Sequence, residues 1–164
     1  MIAKLSGFFL LASLASGPAQ AQADPVLLTV SGEISHYTDP ARKLYQFRES
    51  ELQALPQHTN VTATTWTLRS AFSGPLMRDI LQKVGARGPR VKFRALNDYA
   101  YTLDAAELRQ YPVILARSQN GKKMDIANRG PLWLMYPLED MPPNLRGPLL
   151  DAKLVWQVDR IEIQ

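Results

Sequence analysis

The chain of 164 residues contains no cysteine and two histidines, His36 and His58, so much of side-chain chemistry is excluded at the outset. Without a thiol there is no thiolate nucleophile, iron–sulfur cluster or cysteine zinc site, and the two histidines stand far apart in no ligand spacing. The sequence holds no H-E-x-x-H, no G-x-S-x-G and no phosphate-cradling glycine loop. Glu139-Asp140 is a pair of carboxylates, but it lies in a proline-rich stretch and reads as solvated loop acid. What remains is aromatic. Trp66, Trp133 and Trp156 either wall a small-ligand pocket alongside a few convergent polar groups or fill core volume, since aromatic side chains serve both ends.

These residues must be positioned by a mostly β chain. Val26, Leu28, Val30 and Ile34 alternate with Leu27, Thr29, Ser31 and Glu33, the period of a strand with one buried face. Leu44, Tyr45 and Phe47 predict a short strand. Ser50 to Gln53 has the form of a capping box, with a helix running to Leu55 before Pro56. Val61 to Leu68, rich in Thr, Val and Trp, predicts one strand. Leu76, Met77, Ile80, Leu81 and Val84 make the apolar stripe of a helix, with Pro75 in its first turn and Gly85 as its left-handed stop.

Val91 to Ala95 and Tyr99 to Leu103 alternate on either side of Asn97-Asp98, the pattern of a tight hairpin. Asp104 and Glu107 predict a capped helix through Arg109. Val113 to Ala116 reads as a strand buried on both faces, Asn120-Gly121 as a second hairpin turn, and Leu132 to Tyr136 as another strand. Leu138 to Pro148 has no period and predicts an ordered surface loop. The apolar residues of Val155 to Ile163 change phase between Val158 and Ile161, as a β-bulge near Asp159 requires. Together these give an α+β domain: a mostly β, mixed-sheet or barrel-like core with two or three short helices.

Residues 1–23 combine Lys4, an apolar run from Phe8 to Leu14 and small residues spaced A-x-A before position 24, the pattern of a cleavable secretory signal. Nothing reaches the roughly 18 consecutive apolar residues of a membrane span. The expectation is an exported, soluble domain over residues 24–164, in a bacterial periplasm, not inserted in the membrane after cleavage. Such a length supports a core without disulfide staples. Lys and Arg number 19 against 15 Asp and Glu, a net charge of +4, but the basic residues are scattered among acids, so no nucleic-acid surface is expected.

The succession "FSGPLMRDILQKVGARG", "VKFRALNDYAYTLDAAEL", "YPVILARSQNGKKM" with "RGPLWLMYPLED", and "LVWQVDRIEI" resembles the oxidoreductase molybdopterin-binding domain, the sulfite oxidase fold, over roughly Val26 to Ile163. More closely it resembles small periplasmic proteins of that fold described as molybdopterin-dependent oxidoreductases. The resemblance implies that the strand corresponding to Val61–Trp66 ends at the position of the molybdenum-ligating cysteine. Trp66 or a neighbouring threonine stands there instead, and neither donates an anionic sulfur. The family's pterin site reads approximately H-G-x-P-L-R and later V-K-W. Here the stretches are Arg129-Gly130-Pro131-Leu132-Trp133 and Leu154-Val155-Trp156, so Arg129 keeps a cation while Trp133 and Val155 replace basic residues. Family members are loaded with cofactor before export and carry a twin-arginine signal; this N-terminus has Lys4 alone.

The resemblance and its departures together imply a cofactor-free periplasmic module, non-catalytic, that binds a small molecule or signals. The ligand residues it points to are Trp66 and Arg69 near the metal position, Asn97, Asp98 and Tyr99 in the hairpin that meets substrate, and Arg129 with Trp133. Asn97 and Asp98 serve equally well as plain turn residues. The alternatives are a molybdopterin-dependent oxidoreductase that holds its cofactor without a cysteine ligand, and an accessory subunit docking on the periplasmic domain of a membrane sensor or redox partner.

Overall fold

The computed structural model describes residues 23–164. The signal segment expected over residues 1–23 lies, but for its last residue, outside the described residues. Among the described residues no helix is long and apolar enough to cross a membrane.

The chain begins with β1 (Val26–Gly32), β2 (Tyr45–Arg48), α1 (Glu49–Ala54), β3 (Gln57–Thr64), β4 (Thr67–Pro75) and α2 (Met77–Lys83). It continues through β5 (Arg90–Ala95), β6 (Ala100–Asp104), α3 (Ala105–Gln110), β7 (Ile114–Ala116), β8 (Ser118–Gln119) and β9 (Lys122–Lys123). It ends with β10 (Trp133–Met135), α4 (Pro148–Lys153) and β11 (Val158–Ile163). Short 3-10 turns lie at Ile126–Asn128 and Pro143–Leu145.

Five strands form one sheet in the order β2-β1-β11-β5-β6. β1 and β11 run parallel, pairing Thr29 with Arg160 through Gly32 with Ile163, and the other neighbours are antiparallel. The period-two residues point where expected: Leu28, Val30, Phe47, Val91, Phe93 and Val158 have no exposed surface. The register of β11 on β5 shifts between Val158 and Arg160, the bulge that the phase change near Asp159 predicts. At the end of β1, Gly32 takes φ +87° and a Cβ there would lie 2.0 Å from the carbonyl oxygen of Ile163, so both conformation and space demand glycine.

A second sheet runs β3-β4-β8-β9, and β7 pairs with β10. The single strand predicted over Val61 to Leu68 is corrected here. The chain reverses at Thr65-Trp66, and Val61 to Thr64 closes β3 while Thr67 opens β4. The reversal is built from threonine: the Thr64 hydroxyl accepts the Trp66 amide at 3.1 Å and meets the Thr67 hydroxyl at 2.9 Å. Neither turn residue takes a positive φ, so the Gly or Asn that announces most hairpins is not needed. The two announced hairpins are present, with Asp98 at φ 63° and Asn120-Gly121 at φ 50° and 75°.

Four short α-helices, not two or three, accompany the sheets, and the sheets stay open and form no closed barrel among the described residues. The fourth, α4, emerges where an irregular loop is expected to end. Pro148 is tolerated at its first helical position, where the missing N–H costs no bond. The clearest predicted helix, α2, buries Met77, Ile80, Leu81 and Val84. It ends as Gly85 and Ala86 donate their amides to Gln82 and Leu81, a Schellman stop with Gly85 at φ +62°. Pro75 closes β4 rather than opening this helix.

Both predicted capping boxes are absent. Ser50 lies inside α1, where its amide and hydroxyl are held by Asp24 at 2.9 and 2.6 Å. Asp104 makes no side-chain cap, and Glu107 turns to Tyr136 and Lys153 instead. Asn60 on β3 is buried and donates its side-chain amide to Pro112 O at 2.9 Å.

Candidate functional site

Three connecting segments and the helix α4 converge beside the end of the five-stranded sheet and enclose a cavity of about 390 Å³. The β3–β4 tip supplies Trp66; the β5–β6 connection supplies Asn97 and Tyr99; α4 supplies Asp151; and the strap before β11 supplies Trp156. The segments are tied to one another by hydrogen bonds. The Thr65 hydroxyl donates to Asp151 Oδ2 at 2.6 Å, and the Tyr99 hydroxyl donates to the Ala152 carbonyl at 2.9 Å. α4 is therefore clamped on one side to the hairpin tip and on the other to the β5–β6 turn.

The turn holding Asn97 follows from local chemistry. Asn97 Oδ1 accepts the Tyr99 amide at 3.1 Å, while Asp98 takes the left-handed conformation. This spends the amide oxygen of Asn97 and leaves its Nδ2 without a protein partner among the described residues. Partial burial, with Tyr101 nearby, holds the Tyr99 phenol above its usual range, so it remains a donor to Ala152 at neutral pH.

The tryptophans form one cluster with two roles. Trp66 is 37% exposed and meets Trp156 edge-to-face, with ring centroids 4.8 Å apart and planes at 86°. Trp133 is fully buried behind them, 6.2 Å from Trp156 and 5.4 Å from Phe72, and its indole N–H donates to Leu154 O at 3.0 Å. The Arg129 guanidinium lies 5.5 Å from the Trp133 ring centroid and 5.6 Å from that of Trp156. Trp66 and Trp156 thus face the cavity, while Trp133 is a core residue that backs them.

Of the expected ligand residues, Trp66, Asn97 and Tyr99 are brought together on the cavity wall. Arg129 and Trp133 support that wall from behind. Arg69 points elsewhere and pairs with both oxygens of Glu139, at 3.0 and 3.1 Å. Asp98 sits on the outer side of its turn beside Arg160, at 3.3 Å, and Arg94, at 3.8 Å. Asp151 was not expected. The signal available for it was weak, an acid three residues after a proline in a stretch with no apolar period. Wider depressions of about 640 Å³ at His36, Tyr45 and Lys83 and about 590 Å³ at Glu107, Arg146 and Lys153 gather none of the expected residues.

The donor set decides how this site stands toward a molybdenum cofactor. The position that the resemblance gives to a thiolate is a hairpin turn whose side chain is an indole packed edge-to-face against Trp156. Among the described residues no three His, Asp or Glu side chains gather in a metal-binding group. The cations near the site are committed, Arg69 to Glu139 and Arg129 to two aromatic faces. These residues do not fit a thiolate-ligated metal.

No family model matches the chain, and no curated protein does. Among solved structures the chain is similar to the sulfane dehydrogenase SoxCD from Paracoccus pantotrophus, with a TM-score of 0.61 and 15% sequence identity. The match covers 90% of this chain and 40% of that one, so the chain spans less than half the length of its structural neighbour. At that identity the likeness shows the fold alone, an α+β arrangement of mixed sheets shared with part of a dehydrogenase.

Proposed function

We propose that this protein is a non-catalytic ligand-binding module of the sulfite oxidase fold, working in the periplasm, with its ligand seated in the cavity between Trp66, Tyr99 and α4. The observation that carries the reading is Trp66. It stands where the resemblance puts the metal ligand, and it lines the cavity with an indole in place of a sulfur donor. Fold alone does not assign activity, and a scaffold shared with part of a sulfane dehydrogenase serves equally for recognition. Occupancy of the cavity would reach α4 through Thr65, Tyr99 and Asp151, and the outer face of α4 is the natural surface for a signalling partner such as a membrane sensor.

Two measurements test this. Elemental analysis for molybdenum and tungsten, with a scan for pterin fluorescence, on protein isolated from its native compartment should find neither; metal near one equivalent overturns the reading. A thermal-shift screen of small molecules of each charge class should then find ligands whose stabilisation disappears in Trp66→Ala. If no class of ligand raises Tm, the binding function fails.

A further inference from the structure

Resting on that reading of the cavity, we infer that its ligand is a small organic cation of the quaternary ammonium class. The charge of the wall argues for it. Of the residues around the cavity, Asp151 alone is charged at neutral pH; the others are aromatic, aliphatic or, in Asn97, a neutral amide. Asp151 makes no salt bridge among the described residues. Its Oδ2 accepts the Thr65 hydroxyl, which leaves Oδ1 free for a ligand. In a chain where basic residues outnumber acidic ones, the cavity receives an acid and no base.

The aromatic geometry adds a second argument. Trp66 and Trp156 pack edge-to-face at 86°, and both line the cavity together with Tyr99. Faces of Trp and Tyr attract a desolvated cation through the ring quadrupole, and a carboxylate beside such a cage supplies the counter-charge. Arg129 already draws on the Trp156 and Trp133 rings, so the Trp66 and Tyr99 faces carry most of the recognition. An anionic ligand would meet Asp151 with like charge and no Lys or Arg on the cavity wall to offset it. The cavity volume of about 390 Å³ lies within the range of small-molecule sites and accommodates a trimethylammonium group with a short substituent.

The test is calorimetric titration of the full mature chain with choline and tetramethylammonium, with the neutral isostere 3,3-dimethylbutan-1-ol and with benzoate as the anion, followed in parallel by tryptophan fluorescence. The expected result is binding of the cations with the neutral isostere at least about tenfold weaker. Asp151→Asn should weaken the cations about tenfold and leave the isostere unchanged, because it removes charge and keeps shape. Trp66→Leu, which keeps apolar area and removes the π face, should do the same, whereas Trp66→Phe should retain most of the affinity. Equal binding of isostere and cation, or preference for benzoate, overturns the cation assignment and leaves the cavity as a ligand site. Failure of every probe to bind, with no hit in the thermal-shift screen, removes the ligand-binding reading as well.

Discussion

The five-stranded sheet and the cavity rim are adjacent regions built on different principles. In the sheet, each buried side chain owes its place to its own strand's alternation: Leu28 and Val30 on β1, Val91 and Phe93 on β5, all without exposed surface. On the rim, Trp66 and Tyr99 are 37% and 45% exposed, and the segments that carry them are joined to α4 by the Thr65–Asp151 and Tyr99–Ala152 hydrogen bonds, between residues far apart in sequence. The sheet is specified locally and stabilised collectively. The rim's turns are made by local hydrogen bonds, but the segments meet only once the fold has formed, so Trp66 and Tyr99 can be exchanged at small cost in stability.

The largest effects should fall on the sheet. Phe93→Ala, deleting a fully buried ring, should lower the unfolding free energy by about 3–5 kcal/mol in urea denaturation, with no change in any ligand contact. Gly32→Ala should cost roughly 2–4 kcal/mol, since it forces a left-handed alanine and drives a Cβ into the Ile163 carbonyl. A loss under about 1 kcal/mol at either site would mean that the sheet is not the collective unit described here.

How far each region could be read in advance follows the same division. Strand alternation, the α2 stripe, the Gly85 stop, the Asn97-Asp98 and Asn120-Gly121 turns and the bulge near Asp159 all rest on periodicity or on residues with special backbone freedom. Each is present. The Thr65-Trp66 reversal could not be seen, because threonine promotes strands as strongly as it makes this turn. The capping boxes misled because α1 takes its carboxylate from outside, Asp24 before β1, and because Glu107 of α3 is spent on Tyr136 and Lys153. The resemblance pointed to Trp66, Asn97 and Tyr99, which line one cavity, but not to Asp151, whose place on the same wall depends on α4 closing against the hairpin tip.

Between the two regions lies the Glu107 triad, which fastens α4 to α3. Glu107 Oε1 accepts from the Tyr136 hydroxyl at 2.9 Å and from Lys153 Nζ at 2.6 Å, and burial together with Glu107's charge keeps the Tyr136 phenol protonated. Lys153→Met should cost about 1–3 kcal/mol because it leaves a half-buried carboxylate without its cation. It should also loosen α4, so the ligand's dissociation rate should rise more than Phe93→Ala raises it. Equal effects on dissociation would show that α4 is not a separate element of the rim. At the rim itself, Trp66→Leu should change stability by less than about 1 kcal/mol while altering ligand affinity.

The smallest expected effects fall on two acids, Asp24 just before β1 of the five-stranded sheet and Glu139 against the β3–β4 hairpin that carries Trp66. Asp24 is held below the usual carboxylate range by the Ser50 hydroxyl and amide, with Arg48 a minor influence; Glu139 is held low by Arg69. In both, a folded pKa below the unfolded one adds stability at neutral pH. That contribution is lost as the pH falls below about 4 and through the depressed folded value. Asp24→Asn and Glu139→Gln should therefore each flatten the fall of Tm on acidification. Salt separates them: about 0.5 M NaCl should erase the difference between wild type and Glu139→Gln, because an exposed ion pair is screened. It should leave most of the difference between wild type and Asp24→Asn, because neutral donors from Ser50 hold that carboxylate. If salt erases both differences alike, Asp24 is held by Arg48 rather than by Ser50, and the acid before β1 relies on the same exposed electrostatics as the one against the β3–β4 hairpin.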